Sequence, residues 1–333
     1  MKKLALLVLA ASLCCIPVTA QQAEGITITA AGRADVSPSF PGGGVSFDNS
    51  ALYTFIDGQL GDHFSYSICN HWLSTQPGDL YRNTFRSDDV NWVDWAYVAF
   101  NYEDFSLSAG KDVIAIGGWE MDPYDVESHS SLNSVFWNWF TVYQLGAKAS
   151  WEPGNSSFTL GVSASPFSET PFQDALAAYS FQWSGEYGFF EPIWSVNVVG
   201  RERGSNPLWI ASLGNKFTFG DFSCTLDGLL RTVSGRNPKG HAYASVAYNF
   251  SDKWEAILKG GIEFNANDGD DWEEDILDDL CPVPYGTSPM GGIAIHYSPI
   301  ENLRLHLTGA YDGMYDMCTL SLGVLYNLTI LER

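Results

Sequence analysis

From Gly25 to the C-terminus the chain runs through about sixteen stretches in which apolar and polar residues alternate, joined in rotation by a tight turn and then a longer loop. Successive side chains on a strand point to opposite faces, so each stretch has one greasy and one wet face. In the final stretch Cys318, Leu320, Leu322, Val324, Tyr326, Leu328 and Ile330 fall on one face, and Thr319, Ser321, Asn327 and Thr329 on the other. Leu208 to Phe219, Phe222 to Thr232 and Trp254 to Asn265 reach the ~9–11 tilted residues that cross a bilayer. Strands of soluble proteins average only about 5–6 residues. The pattern therefore predicts an all-β fold, a transmembrane antiparallel β-barrel. Tight turns on one side and longer loops on the other place both termini on the periplasmic side.

Residues 1–20 read as a cleavable signal peptide. Lys2 and Lys3 precede the apolar run Leu4 to Leu13, and Val18-Thr19-Ala20 resembles a small-residue cleavage site, so the mature chain is expected to start at Gln21. Bulky Leu13 before Cys14 argues against a lipid anchor. No later stretch of 18 or more apolar residues follows, so a membrane can be crossed only by strands. No linker divides the mature chain, and residues 21–333 are expected to form a single barrel domain. Cys224 and Cys318 fall on the lipid face, Cys69 on the wet face and Cys281 in a loop, without zinc-type spacing, so they read as small apolar fillers; no cofactor is expected.

Trp92, Trp95, Trp137, Trp139, Trp151, Trp183, Trp194, Trp209 and Trp254 lie mostly near strand ends, as rings at headgroup depth do. The rival reading of any one of them is a platform that stacks on sugar. Read literally, the alternation places Arg33, Lys148, Arg201, Arg203, Lys216, Arg231, Lys259 and Arg304 on the lumen wall, nearly balanced by Asp35, Asp57, Glu186, Asp227, Glu255, Glu263 and Asp312. Sixteen strands enclose a water-filled channel, and of these Lys148, Arg201, Arg203, Arg231, Lys259 and Arg304 are the candidate basic pore wall. The net charge of -22 therefore resides in the loops. Residues 267–284 carry Asp268, Asp270, Asp271, Glu273, Glu274, Asp275, Asp278 and Asp279, a density typical of a solvated segment. Asp268, Asp270 and Asp271 are the candidates for a bridging divalent cation, although Trp272 and Glu273 break any EF-hand pattern.

The longest connection, residues 115–135, carries Glu120, Asp122, Asp125 and Glu127 beside Gly117, Gly118 and Trp119. The run from Trp92 to Lys111 followed by Gly117-Gly118 resembles the segment that enters the third loop of bacterial outer-membrane porins, similar to the phosphate-selective O/P type. That resemblance implies a loop folded into the lumen, with its four carboxylates at a pore constriction where they would favour cations. By its residues alone the loop could equally stay outside. The acidic loop departs from the basic lining of phosphate-selective members, so phosphate selectivity is not carried over.

The function expected is passive diffusion of ions and small hydrophilic solutes across the outer membrane of a Gram-negative bacterium, with a weak cation preference and no catalysis. Outer-membrane lipid, lipopolysaccharide and other copies in a homotrimer are the expected neighbours. An acidic surface repels nucleic acid. The alternatives are a barrel enzyme, kept open by His71, His241, His296 and His306 on wet faces, and a loop-based adhesion or carbohydrate-binding protein.

Overall fold

The computed structural model describes residues 25–47, 49–74, 92–123, 126–202, 204–267 and 272–333. The expected signal peptide, the loop 76–90, and Asp125, Arg203, Asp268, Asp270 and Asp271 lie outside the described residues.

The strands follow in order as β1 (Ile26–Phe40), β2 (Ala51–Leu60), β3 (Phe64–Ser74), β4 (Val93–Tyr102), β5 (Phe105–Val113), β6 (Tyr143–Trp151), β7 (Ser156–Ala164), β8 (Ala177–Gly185), β9 (Phe190–Val199), β10 (Leu208–Phe219), β11 (Phe222–Val233), β12 (Lys239–Ser251), β13 (Trp254–Asn265), β14 (Gly286–Ile300), β15 (Leu303–Asp312) and β16 (Met317–Glu332). Each pairs antiparallel with the next, and β1 also pairs with β16, from Thr27↔Glu332 to Phe40↔Cys318, which closes a 16-strand barrel. Ile26 N donates to Arg333 O at 3.0 Å and Arg333 N to Ile26 O at 3.1 Å, so both ends of the described chain are tied into the sheet. Closure leaves no unpaired edge, the condition for β-structure in hydrocarbon. A strand of 12 residues such as β10 rises about 40 Å and, tilted by about 40°, spans the ~30 Å of a bilayer core.

Alternation sorts the side chains as the sequence predicts. Leu320, Leu322, Tyr326, Leu328 and Ile330 of β16 are exposed on the outer wall, and Ser321 and Leu325 are buried inside. Leu160, Phe181, Leu213, Leu226 and Leu258 continue the apolar belt, a contiguous surface that water would not tolerate. Trp92, Trp151, Trp194, Trp209 and Trp254 stand exposed on the outside. Three tryptophans depart from the expected girdle. Trp95 is buried inside, its indole N–H donating to Ser67 Oγ at 2.8 Å and its ring 5.8 Å from Phe55. Trp137 and Trp139 belong to a short helix, α1 (Val135–Trp139), in the β5–β6 loop. The expectation followed position near a strand end and not the face: Trp95 shares its face with Tyr97, Ala99 and Asn101, opposite exposed Val98 and Tyr102, and loop residues have no period.

The interior is not uniformly wet. Ile114, Ile116, Phe136 and Phe140 of the β5–β6 loop pack with Val199, Leu208, Ile210, Leu229 and Val233 of the wall into one buried apolar cluster. Tyr53, Cys69, Trp95 and Val126 form a second. These clusters fasten the loop to the wall, where the sequence predicts a polar lining around open water.

Candidate functional site

The β5–β6 loop, residues 114–142, turns into the barrel and follows the inner wall. Asn197 Nδ2 on β9 donates to Ala115 O at 2.8 Å, Gly117 N donates to Ser195 Oγ at 2.7 Å, and Ser212 Oγ on β10 donates to Gly117 O at 2.6 Å. Trp119 N then donates to Asp227 Oδ1 on β11 at 2.7 Å. The approach requires glycine on both sides. A Cβ at Gly214 would lie 2.6 Å from Gly118 Cα, and Gly118 itself has φ +108, a conformation that side chains disfavour. Buried peptide groups must be paired, and inward serine and asparagine residues, which sequence reasoning reads as mere polar lining, supply the partners here.

Next the acidic residues meet the basic wall. Glu120, its side chain 2% exposed, accepts from Lys259 Nζ on β13 at 2.6 Å and from Ser134 N at 2.9 Å, and lies 3.4 Å from His241 Nε2 on β12. Burial raises its carboxyl, but the charge and hydrogen bond of Lys259 outweigh that and hold it below the usual carboxylate range. Glu127 accepts from Arg304 Nη1 on β15 at 2.9 Å. Both carboxylates are therefore paired with basic residues of the wall. Asp122 is placed differently. It lines open space, and burial raises its carboxyl, an effect that Lys216 opposes and Glu191 reinforces.

Of the expected basic wall, Lys148 pairs with Asp112 at 2.7 Å beside the open space. Arg231 is buried against Asp279 at 2.5 Å, and Arg201 lies beyond the end of β9, paired with Asp278 at 2.7 Å. These two contacts correct the reading of residues 267–284 as a solvated segment. Part of that loop is the helix α2 (Trp272–Asp279), and Asp275, Asp278 and Asp279 are buried. Lys239 joins Asp275 at 2.9 Å and Asp279 at 3.1 Å, and Arg236 joins Asp278 at 3.0 Å. Acidic density on one loop was matched by basic residues from β11, β12 and the loop ends, and one-dimensional charge counting cannot see that match.

A cluster midway along the loop centres on His129, which sequence reasoning passed over. His129 Nδ1 faces Arg33 Nη2 at 2.9 Å and Thr308 Oγ1 at 3.2 Å, and its Nε2 lies 2.9 Å from His296 Nε2. His296 Nδ1 in turn meets Glu255 at 2.8 Å, and His306 Nε2 meets Asp35 at 2.9 Å. Burial and the neighbouring Arg33, His296 and His306 hold the His129 imidazole well below its ordinary value, hence neutral. Arg33 also donates to both oxygens of Asp35, at 3.0 and 2.9 Å. Atoms of Asp35, His129 and His306 lie within 4.8 Å of one another, as metal ligands would, yet the guanidinium already occupies the cationic position among them. His71 is engaged with Asp94 at 2.6 Å.

Because the loop hugs the wall from β9 round to β1, space remains on the opposite side. Cavities of about 510 Å³ and about 800 Å³ share Asp122, Ser184 and Ile193. The first is lined by hydroxyls and amides including Ser65, Asn101, Ser106, Thr159 and Gln182, and the second reaches Glu152 and Glu186 at the short-turn end.

No known protein family matches the chain by its sequence profile, and no curated protein matches it. Solved structures do. A triple mutant of Rh. blastica porin is 12% identical with a TM-score of 0.61, over 91% of this chain and 100% of that one. In-vitro folded OmpT, an outer membrane protein of Vibrio cholerae, is 9% identical with a TM-score of 0.60, over 91% of this chain and 98% of that one. Its loop-deletion mutant is 10% identical with a TM-score of 0.58. At these identities the likeness is one of fold.

Proposed function

We propose that this chain is an outer-membrane porin through which ions and small hydrophilic solutes diffuse passively between the 114–142 loop and the wall of β3–β8. The observation that carries the reading is the pair of cavities meeting at Asp122, inside a barrel whose outer surface is an apolar belt. The porin fold of the solved structures agrees with it. Hydroxyls and amides line the passage, and its unbalanced charge is acidic, from Asp122, Glu152 and Glu186, so a weak cation preference follows by direct electrostatics. In this reading Asp122 acts in the passage while Glu120 and Glu127 hold the loop. Export by cleavage after Ala20, lipopolysaccharide contact and association as a trimer belong to the same proposal. The test is planar-bilayer conductance of the folded full chain under a salt gradient. Stable steps with a reversal potential favouring cations support the proposal. Silence from protein shown to be inserted overturns it.

A further inference from the structure

Midway along the folded loop the hydrogen bonds at His129 can run in one direction only. Arg33 Nη2 lies 2.9 Å from His129 Nδ1, and a guanidinium has protons to give and no lone pair to accept one. Nδ1 is therefore bare, and it accepts from the Thr308 hydroxyl at 3.2 Å as well. The proton of the neutral ring sits on Nε2, which donates to His296 Nε2 at 2.9 Å. His296 accepts there, carries its own proton on Nδ1 and donates it to Glu255 Oε2 at 2.8 Å. Each ring holds one proton, and the chain from Arg33 through His129 and His296 to Glu255 has no place for another.

A second proton breaks the chain wherever it lands. On His129 Nδ1 it would face the N–H of Arg33, and on His296 Nε2 it would face the N–H of His129. Its charge is equally misplaced. Around buried His129 stand Arg33 and Asp35 of β1, His296 of β14, and Arg304 and His306 of β15, with Glu255 of β13 behind His296. Asp35 is already engaged by Arg33 and His306, and Glu127 of the same loop by Arg304. A cation at His129 would thus meet two guanidiniums and, among the described residues, no uncommitted carboxylate. Glu255, its side chain 33% exposed, connects the chain to water. What the chain holds is one stretch of loop, since Arg33 Nη1 also donates to Val126 O at 3.1 Å and Ser130 N donates to Asn49 Oδ1 at 2.9 Å.

We propose that the chain from Arg33 through His129 and His296 to Glu255 is an acid-released latch, which seats residues 126–132 of the loop on β1, β14 and β15 at neutral pH and lets them go when a proton enters. The released imidazole takes up the proton that the seated one refuses, so seating holds above the ordinary histidine range and is lost as pH falls through it. The freed stretch then fluctuates beside the passage, while Ala115, Gly117 and Trp119 stay anchored on β9–β11. Release belongs to the loop itself, and only its electrical readout rests on the porin reading.

Single-channel recording of the folded full chain in planar bilayers, at constant salt and from about pH 7.5 to about pH 5, tests it. Quiet steps are expected at the upper end and reversible flicker below about pH 6.5. The double variant His129→Gln with His296→Gln keeps an acceptor and a donor at each position and removes both proton sites, so it should stay quiet throughout. His129→Ala breaks the chain without a proton and should flicker at every pH. Glu255→Gln withdraws the charge that favours a proton on His296 and should lower the midpoint of the flicker by roughly one pH unit. A wild type whose flicker ignores pH overturns the latch, as does a double variant that keeps the wild-type profile. Should the double variant misfold or flicker at every pH, Glu255→Gln decides, and an unmoved midpoint overturns the latch. A silent inserted barrel overturns the porin reading alone. Hydrogen exchange of residues 126–132, corrected for its intrinsic pH dependence, then decides the latch by the same pattern among the variants.

Discussion

Lys259 Nζ on β13 lies 2.6 Å from Glu120 Oε1 on the in-folded loop, with the side chains 12% and 2% exposed. A charge pair this dry is costly to break, because the survivor is left buried without a partner, at about 3–5 kcal/mol. Glu120→Gln is therefore expected to loosen the loop, seen as larger and noisier single-channel steps. The pH dependence follows from the depressed carboxyl of Glu120. Its contribution to seating is complete above the ordinary glutamate value and is lost as pH falls through the lower seated value. Loss of this pair should therefore add step noise only in strong acid, below the range in which His129 acts.

Asp122 should govern ion preference, since Glu120 and Glu127 are already paired with Lys259 and Arg304. Asp122→Asn is expected to move the reversal potential toward zero by more than Glu127→Gln does. Burial raises the Asp122 carboxyl, so it takes up its proton at a higher pH than a free carboxylate. Cation preference in the wild type should begin to fall at that higher pH. A reversal potential that ignores Asp122→Asn would remove this residue from the passage.

His129 makes the opposite prediction to a histidine gaining a partner. Held neutral by burial and by Arg33, it has a folded value well below the ordinary 6.5. Its stabilisation of the seated loop is present above the ordinary histidine value and is lost as pH falls below it, because the released imidazole binds a proton that the buried one cannot. Groups facing it are Arg33 and Asp35 from β1, His296 from β14, and Arg304 and His306 from β15. Hydrogen exchange of residues 126–140 should accelerate between about pH 7 and 5 in the wild type, and His129→Gln should flatten that dependence.

The acidic helix gives a stability test. Arg231 and Asp279 are 1% and 2% exposed and 2.5 Å apart, with Arg231 also 5.4 Å from the Phe136 ring. Arg231→Met leaves Asp279 with Lys239 at 3.1 Å, so it is expected to cost about 1.5–3 kcal/mol, the worth of a charged hydrogen bond, read as a lower urea midpoint and faster exchange in α2. A solvated loop would show neither.

Strand alternation, strand length and the rotation of short and long connections were legible because each is a local property that every strand repeats. Leu320, Leu322 and Leu328 could be assigned to the outer wall from β16 alone. The inside resisted, because there the partners come from distant strands. Asp279 meets Arg231 from 48 residues away, and Glu120 meets Lys259 from 139 away. The period says that each faces inward and nothing about what it meets. Trp95 shows the same limit, since its period places it inward with Tyr97 and Ala99 but does not say that it meets Phe55 and Ser67.

By itself the sequence pointed to a closed, lipid-facing barrel of about sixteen strands, because an apolar outer face and the need to satisfy every backbone group call for closure, and the structure closes it at sixteen. Only the tertiary structure decided which carboxylates are spent on the wall and which remain beside water. That choice depends on the path of the 114–142 loop across strands far apart in sequence, and on the glycines, Gly118 and Gly214, that let it come close.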